Sequence, residues 1–138
     1  MDAKCKALAT AVGKHVVERE FPELLDLFAP WLGEQYSAAD LEDLLDAAGE
    51  GRPAPASFEI AEGSLGLAEL RTPGDFGPPS RPIPDAITEA SYRGWISVQL
   101  KPDPKHLEDC NACYDVWMVL VEEEGELCVG YFEAAAAS

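Results

Sequence analysis

Basic side chains are scarce in this sequence. Its 138 residues include 10 Lys and Arg against 26 Asp and Glu, a formal net charge of -16 at pH 7. Because nucleic-acid affinity comes mainly from neutralising phosphates with Lys and Arg, this balance excludes sequence-independent binding to DNA or RNA. It also excludes adhesion to an anionic membrane, which basic segments provide. We therefore expect no nucleic-acid partner and no membrane partner.

Long apolar runs are lacking as well. No stretch approaches the ~18 apolar residues that a membrane-spanning helix needs. The apolar residues 7–12 are interrupted by Lys14 and His15 before any small-residue cleavage site. We interpret this stretch as the start of a helix rather than as a signal peptide, and we expect a cytoplasmic protein.

Sequence motifs for catalysis and cofactor binding are few. There is no Ser/His/Asp pattern, phosphate-binding glycine loop or dinucleotide fingerprint. Cys110 and Cys113, with His106 before them, are the one set with metal-like spacing. Structural zinc takes four ligands, so the fourth would have to be Cys128, His15 or a carboxylate. A redox Cys-x-x-Cys lies between a strand and a helix, whereas this pair precedes a predicted strand. We therefore expect loop thiols, no metal and no cofactor.

Apolar periodicity predicts three helices in the first 50 residues. The first ends before Pro22, because a residue that precedes proline avoids the helical conformation. The second begins at Pro22 and ends or kinks near Pro30. The third begins at Ser37, with Asp40 as its capping partner, and ends at Gly49.

After residue 57 the apolar pattern alternates with a period of two, which predicts strands. The stretch 114–121 is apolar on both faces and so is expected at the centre of a sheet. Gly125 suits the positive φ of a tight hairpin turn. The predicted strands are 58–60, 65–70 (broken at Gly66), 95–100, 114–121 and 127–132.

Together these elements predict an α+β fold, with three N-terminal helices packed on a curved antiparallel sheet of about four to five strands. Residues 1–133 form a single predicted domain. Residues 134–138 are expected to be a disordered tail or an expression remnant.

The order of elements resembles the cystatin-like, nuclear-transport-factor-2-like superfamily, whose cone-shaped domains pack N-terminal helices against a bent antiparallel sheet. The residues that carry the resemblance are 21–32 (FPELLDLFAPWL), 37–45 and 114–131, about half of the chain. The resemblance implies a ligand pocket between the helices and the sheet. It also implies a buried Asp or Glu that acts as a base in some members, and homodimerisation through the open sheet face.

Four residues are candidates for a site in such a pocket. Trp95, Trp117 and Tyr131 would line it for an apolar or ring-shaped ligand, or else fill the core. Asp115 is the best-placed carboxylate for a base, because it lies beside Trp117 in the most hydrophobic strand. Catalysis needs its pKa raised by an apolar wall, and the alternative is a solvated strand end.

Three functional hypotheses follow. The first is a non-enzymatic binding module that receives a small apolar ligand or a partner protein at the cone or sheet face. The second is an acidic inhibitor or immunity-type protein that binds a basic enzyme near Glu122 to Glu126, because acidic fields steer basic partners. The third is a small isomerase- or hydrolase-like enzyme that uses Asp115. The sequence favours a protein that is not an enzyme.

Overall fold

Helices precede a sheet in this chain. The structure, a computed structural model, describes residues 2–72, 78–106 and 113–136. The longest helix has 15 residues, and nothing helical within these ranges is long and apolar enough to cross a membrane. The elements are α1 (Ala3–Val17), α2 (Phe21–Leu25), α3 (Pro30–Gly33), α4 (Ala38–Ala48), β1 (Pro55–Glu62), α5 (Leu67–Leu70), β2 (Tyr92–Pro102), a 3-10 turn (Pro104–His106), β3 (Tyr114–Glu123) and β4 (Glu126–Ala136).

The four strands form an antiparallel meander in the order β1-β2-β3-β4. Glu124 and Gly125 turn the β3–β4 hairpin, both with positive φ (53° and 83°). A two-residue turn of this kind matches the right-handed twist of the strands on either side. The predicted α+β class and the predicted hairpin are confirmed.

The second predicted helix is wrong in its extent. Helix α2 ends at Leu25 and a separate turn of helix begins at Pro30. Between them the chain pairs with β4: the Ala29 N–H donates to the Val129 carbonyl, and the Val129 N–H donates to the Leu27 carbonyl, both at 2.8 Å. Proline disfavours a helical residue before it, so the chain leaves the helix and forms these bonds instead. Four helices therefore precede the sheet, not three.

The predicted strand at 65–70 is also wrong. Residues 67–70 form α5, and the Glu69 carboxylate accepts a hydrogen bond from the Gly66 N–H at 3.0 Å. Leu67 and Leu70 are three residues apart, so one turn of helix buries both on the same side. The spacing of the leucines was interpreted as the period of two of a strand, but a segment this short also fits the 3.6-residue period of a helix.

Strand β4 extends beyond its predicted end. Ala134, Ala135 and Ala136 pair with residues of β3, so they belong to the sheet rather than to the expected tail. Residues 137 and 138 lie outside the described residues.

One face of the sheet packs against α1 and α4, and α2 packs on these two helices. Gly13 lies at the centre of this contact, where a Cβ atom would come within 2.5 Å of the Phe58 ring. Only a residue without a Cβ lets α1 lie this close to the sheet. The side chains buried between the two layers include Val12, Val16, Leu24, Leu41, Leu45, Ile96, Val98, Leu100, Val116, Met118, Leu120 and Phe132.

The opposite sheet face is partly covered by the segments 63–72 and 78–91. The buried Glu133 carboxylate accepts a hydrogen bond from the Ser80 N–H at 2.8 Å. Arg81 donates to the Phe132 carbonyl at 2.6 Å, and its guanidinium lies 5.3 Å from the centre of the Tyr131 ring. These contacts attach the second segment to β4, so the sheet has one helical face and one face covered mainly by loops.

Candidate functional site

Trp95, Trp117 and Tyr131 lie together on the face that the loop segments cover. The Trp95 ring stacks on Trp117, with centroids 5.2 Å apart and 21° between the planes, and lies 6.2 Å from Tyr131. Trp95 and Tyr131 are each 3% exposed and form part of the core, whereas Trp117 is half-buried. The three rings are therefore brought together on the side away from α1, not between the helices and the sheet.

Beyond Trp117 the same sheet face is open and forms a shallow groove of about 330 Å³. Asp115 lies in it, half-buried, opposite Gln99 on β2. Burial raises the pKa of the Asp115 carboxyl. Within the described part of the chain, nothing donates a hydrogen bond to this carboxylate. Burial therefore shifts the pKa of Asp115 in the direction that a base needs, but no side chain in residues 2–72, 78–106 and 113–136 orients the carboxylate.

The candidate metal ligands are only partly described. Cys110 and the side chain of His106 lie outside the described residues, while Cys113 is a partly exposed free thiol. His15 interacts through Nδ1 with the Glu20 carboxylate at 2.9 Å. Among the residues that the structure does describe, no three His, Cys, Asp or Glu side chains are arranged to hold a metal ion. The expectation of loop thiols stays a prediction.

A groove of about 610 Å³ lies between the α2–α3 connection and the end of the β3–β4 hairpin; we call it the hairpin groove. Its two walls are joined by the hydrogen bonds between Ala29, Val129 and Leu27 described above. It is lined by Asp26, Leu27, Phe28, Pro30, Trp31, Glu123, Glu124, Glu126, Leu127 and Cys128. Four of these side chains are carboxylates and none of them is Lys or Arg.

The electrostatic field in the hairpin groove is negative. Burial, followed by the charges of Glu123 and Glu126, raises the pKa of the Cys128 thiol to about 11. The Trp31 indole N–H donates to the Glu123 carboxylate at 3.2 Å, so the half-buried ring is held at the acidic wall. The groove therefore combines four carboxylates, with no Lys or Arg among its described lining residues, and an aromatic surface.

Only part of this groove was predicted from the sequence. The acidic run from Glu122 to Glu126 was singled out, but Glu122 instead pairs with Arg93 at 2.8 Å and lies outside the groove. Trp31 and Asp26 were missed, because nothing local relates them to a hairpin about 90 residues further along the chain. A tryptophan directly after Pro30, at a predicted helix break, was the one signal that could have drawn attention to this wall.

No protein-family model, curated protein or solved structure matches this chain. Its function is therefore inferred from its own residues and from the geometry of the two grooves.

The rings of Trp95, Trp117 and Tyr131, which we call the aromatic row, make the stability of the protein sensitive to alkaline pH. Burial, then the hydrogen bond to Glu133, raises the pKa of Tyr131 to about 12, against about 10 in an unfolded chain. The folded state therefore keeps a proton that the unfolded state loses as pH rises from about 10 to about 12. The contribution of Tyr131 to the free energy of unfolding is fully present below pH 10. By pH 12 its loss lowers that free energy by about 2 to 3 kcal/mol, at about 1.4 kcal/mol per pKa unit.

We expect denaturant midpoints to fall across this range, and Tyr131→Phe to fall less steeply than the unmodified chain. Parallel curves for the two proteins would contradict the assignment to Tyr131.

Proposed function

We propose that this protein is a non-enzymatic binding module whose hairpin groove receives a Lys or Arg side chain of a basic partner protein. The observation that carries the proposal is the set of four carboxylates around Trp31 with no cation among the lining residues. Of the hypotheses drawn from the sequence, it corresponds to the acidic inhibitor or immunity-type protein. A basic enzyme such as a nuclease has the required charge.

Charge complementarity supports a basic partner. Like charges gathered in one groove repel each other, and a cation placed among them relieves that repulsion. The net charge of -16 attracts basic proteins over longer distances and raises the rate of encounter. A guanidinium or ammonium group over the Trp31 ring adds about 0.5–2 kcal/mol, depending on how well it is desolvated.

Rigidity of the groove supports the same conclusion. Its walls are the end of a hairpin and a segment that is hydrogen-bonded to β4. The Phe28 ring is anchored beneath that segment, 5.3 Å from the ring of Phe132. A site that is already formed loses little conformational entropy on binding, so a larger part of the contact energy appears as affinity.

Fluorescence anisotropy with a fluorescein-labelled octa-arginine peptide tests the proposal. We expect Glu123→Gln combined with Glu126→Gln to weaken binding about tenfold, because close charge pairs at interfaces are strongly coupled. Trp31→Ala is expected to weaken it about threefold through the lost cation–π contact. Binding by the unmodified chain is expected to weaken as salt rises from about 50 to 200 mM.

The matched control removes the same charge from elsewhere on the surface. Asp43→Asn with Glu89→Gln changes two exposed carboxylates outside the groove. We expect affinity to stay within about twofold, since charges on the open surface are well screened. Equal weakening by both double variants would mean that the peptide senses only net charge, and the groove would be rejected as the site.

A second candidate function is a ligand site at the open part of the sheet face. It is favoured by the half-buried Trp117 ring, which has Trp95 stacked on it and the groove beside it. A ring-shaped ligand stacked on Trp117 would lie next to Ser97, Gln99 and Asp115. We expect such a ligand to shift the tryptophan fluorescence of the unmodified chain and to leave the fluorescence of the Trp117→Leu variant unchanged.

We also propose that the fold is of the cystatin-like, nuclear-transport-factor-2-like kind. Support comes from the helix α1 that packs across β1 and β2 and from the four-stranded antiparallel meander. Such a fold has a cone-shaped opening between the helices and the sheet, so we expect xenon under pressure to shift the NMR signals of the Val98 and Val116 methyl groups, which are buried there. No uptake of xenon between the layers would contradict the proposal.

A further inference from the structure

A third, smaller pocket of about 200 Å³ lies at the other end of the helical layer; we call it the arginine pocket. It is formed where the C-terminal ends of α1 and α4 meet the starts of β1 and β3. Two cationic side chains line it, Arg19 and Arg52, in a protein with few of them. The apolar part of its wall includes Val16, Phe21 and Leu45.

The charge of Arg19 is already compensated. Its guanidinium pairs with Asp46 at 3.1 Å and with Glu42 at 3.6 Å, and lies over the Phe21 ring, 5.2 Å from the ring centre. The hydrogen bond to Asp46 is the main cause of the raised pKa of Arg19. Arg19 therefore forms a neutralised wall and is not free to bind an anion.

Arg52 is different, because within the described residues it contacts backbone carbonyls but no carboxylate, and one of its donors has no partner. Its Nη1 donates to the Ala48 and Glu50 carbonyls at 3.4 and 3.3 Å, and it pairs with no carboxylate in the described ranges. Its Nε is buried without a hydrogen-bond partner, the one side-chain atom of which this is true in residues 2–72, 78–106 and 113–136. An unpaired buried donor costs free energy and is rare in folded proteins, so it indicates that an acceptor is missing.

The edge of the Arg52 guanidinium that remains free indicates which kind of acceptor would bind there. With Nη1 directed at α4, the edge that remains is Nε with Nη2, and this edge binds both oxygens of one carboxylate side by side. Asp46 and the C-terminal ends of two helices lie nearby, and both are less compatible with a doubly charged phosphate than with a singly charged anion. Because Nε is buried, the guanidinium must turn toward the pocket before a ligand can reach this atom. The two hydrogen bonds of Nη1 to carbonyls are long, so this rotation gives up little binding energy.

The rest of the ligand must be apolar and small. An apolar cavity of about 150 Å³ holds benzene, so about 200 Å³ holds a ring that carries a carboxylate. Val16, Phe21 and Leu45 would contact the ring.

We propose that the arginine pocket binds a small apolar monocarboxylate, with the carboxylate on the Nε and Nη2 atoms of Arg52 and its body against Val16, Phe21 and Leu45. This site is separate from the hairpin groove, and neither proposal depends on the other.

Calorimetric titration of the unmodified protein with sodium benzoate, at constant ionic strength and up to about 10 mM, tests the proposal. We expect saturable binding at least about tenfold tighter than that of benzamide, the neutral analogue, since a site built around a charge rejects a ligand that lacks it. In NMR spectra recorded during the same titration, we expect the backbone amide signals of Val17, Gly49 and Ala54 to shift, because these residues line the pocket. Equal affinity for the two compounds, no saturation, or shifts confined to another region would overturn the proposal.

Variants test the role of Arg52 separately. Arg52→Met is expected to weaken benzoate binding about tenfold, and Arg52→Lys less, because an ammonium keeps the charge but loses the paired donors. Arg93→Met is the matched control: it removes one cation that pairs with Glu122 outside the pocket, and affinity should stay within about twofold. If Arg52→Met fails to fold, Arg52→Lys and the comparison of benzoate with benzamide decide the matter. Unchanged affinity in a folded Arg52 variant would reject the assignment.

Discussion

Trp95→Ala is expected to lower the free energy of unfolding by about 3–5 kcal/mol, the range for removing a large aromatic side chain from a core. Trp95 is 3% exposed, stacks on Trp117 and lies near Tyr131, so its loss removes a ring contact from each of these two side chains. It also packs so closely on Gly63 that a Cβ atom there would clash with the indole. The variant therefore loosens the contact between the covering segment 63–72 and the sheet.

Urea denaturation followed by circular dichroism measures this change. Leu65→Ala is the matched control, because Leu65 belongs to the same segment but is 40% exposed, and a surface change of this kind costs within about 0.5 kcal/mol. A Trp95→Ala midpoint as high as that of the control would mean that the aromatic row does not belong to the core.

Phe132→Ala is expected to cost a similar amount, about 3–5 kcal/mol, for a different reason. Phe132 is fully buried on the helical face of β4, where its ring lies 5.3 Å from that of Phe28. Its removal leaves a cavity beneath the connection that forms one wall of the hairpin groove. Since whole domains are stable by only about 5–15 kcal/mol, this variant is expected to be close to unfolding at 37 °C.

The same denaturation measurement applies, with Phe132→Leu as the conservative variant. Leucine retains most of the buried volume, so we expect a loss under about 2 kcal/mol. Equal losses for alanine and leucine would indicate that backbone strain, not the lost ring, causes the effect.

Elements that neighbouring residues specify were predicted correctly, whereas elements for which two local structures fit the sequence were not. Alternation along β2, the two apolar faces of β3, and the capping box in which Ser37 and Asp40 bond each other at the start of α4 were readable from neighbouring residues. The predictions failed in segments where two different local structures fit the sequence about equally well. Four residues of α5 fit a strand or a helical turn, and the connection before Pro30 fits a kinked helix or a bridge to β4.

The candidate sites followed the same division. Grouping of Trp95, Trp117 and Tyr131 was predictable because they lie on one face of adjacent strands, but the side of the sheet that the helices cover was not. Asp115 was found from its strand, whereas the Gln99 and Ala135 residues that lie beside it depend on how β2 and β4 pair with that strand.

By itself, the sequence determined the α+β class, the β3–β4 hairpin and the net charge of -16, because composition and short-range periodicity can be read without knowing how the elements pack. The tertiary structure alone decided where the grooves are and what lines them. Trp31 meets Glu123 across 92 residues, and Arg52 is left with an unpaired buried nitrogen only because α4, β1 and β3 meet around it. Such contacts follow from how whole elements pack, and no local pattern in the chain encodes them.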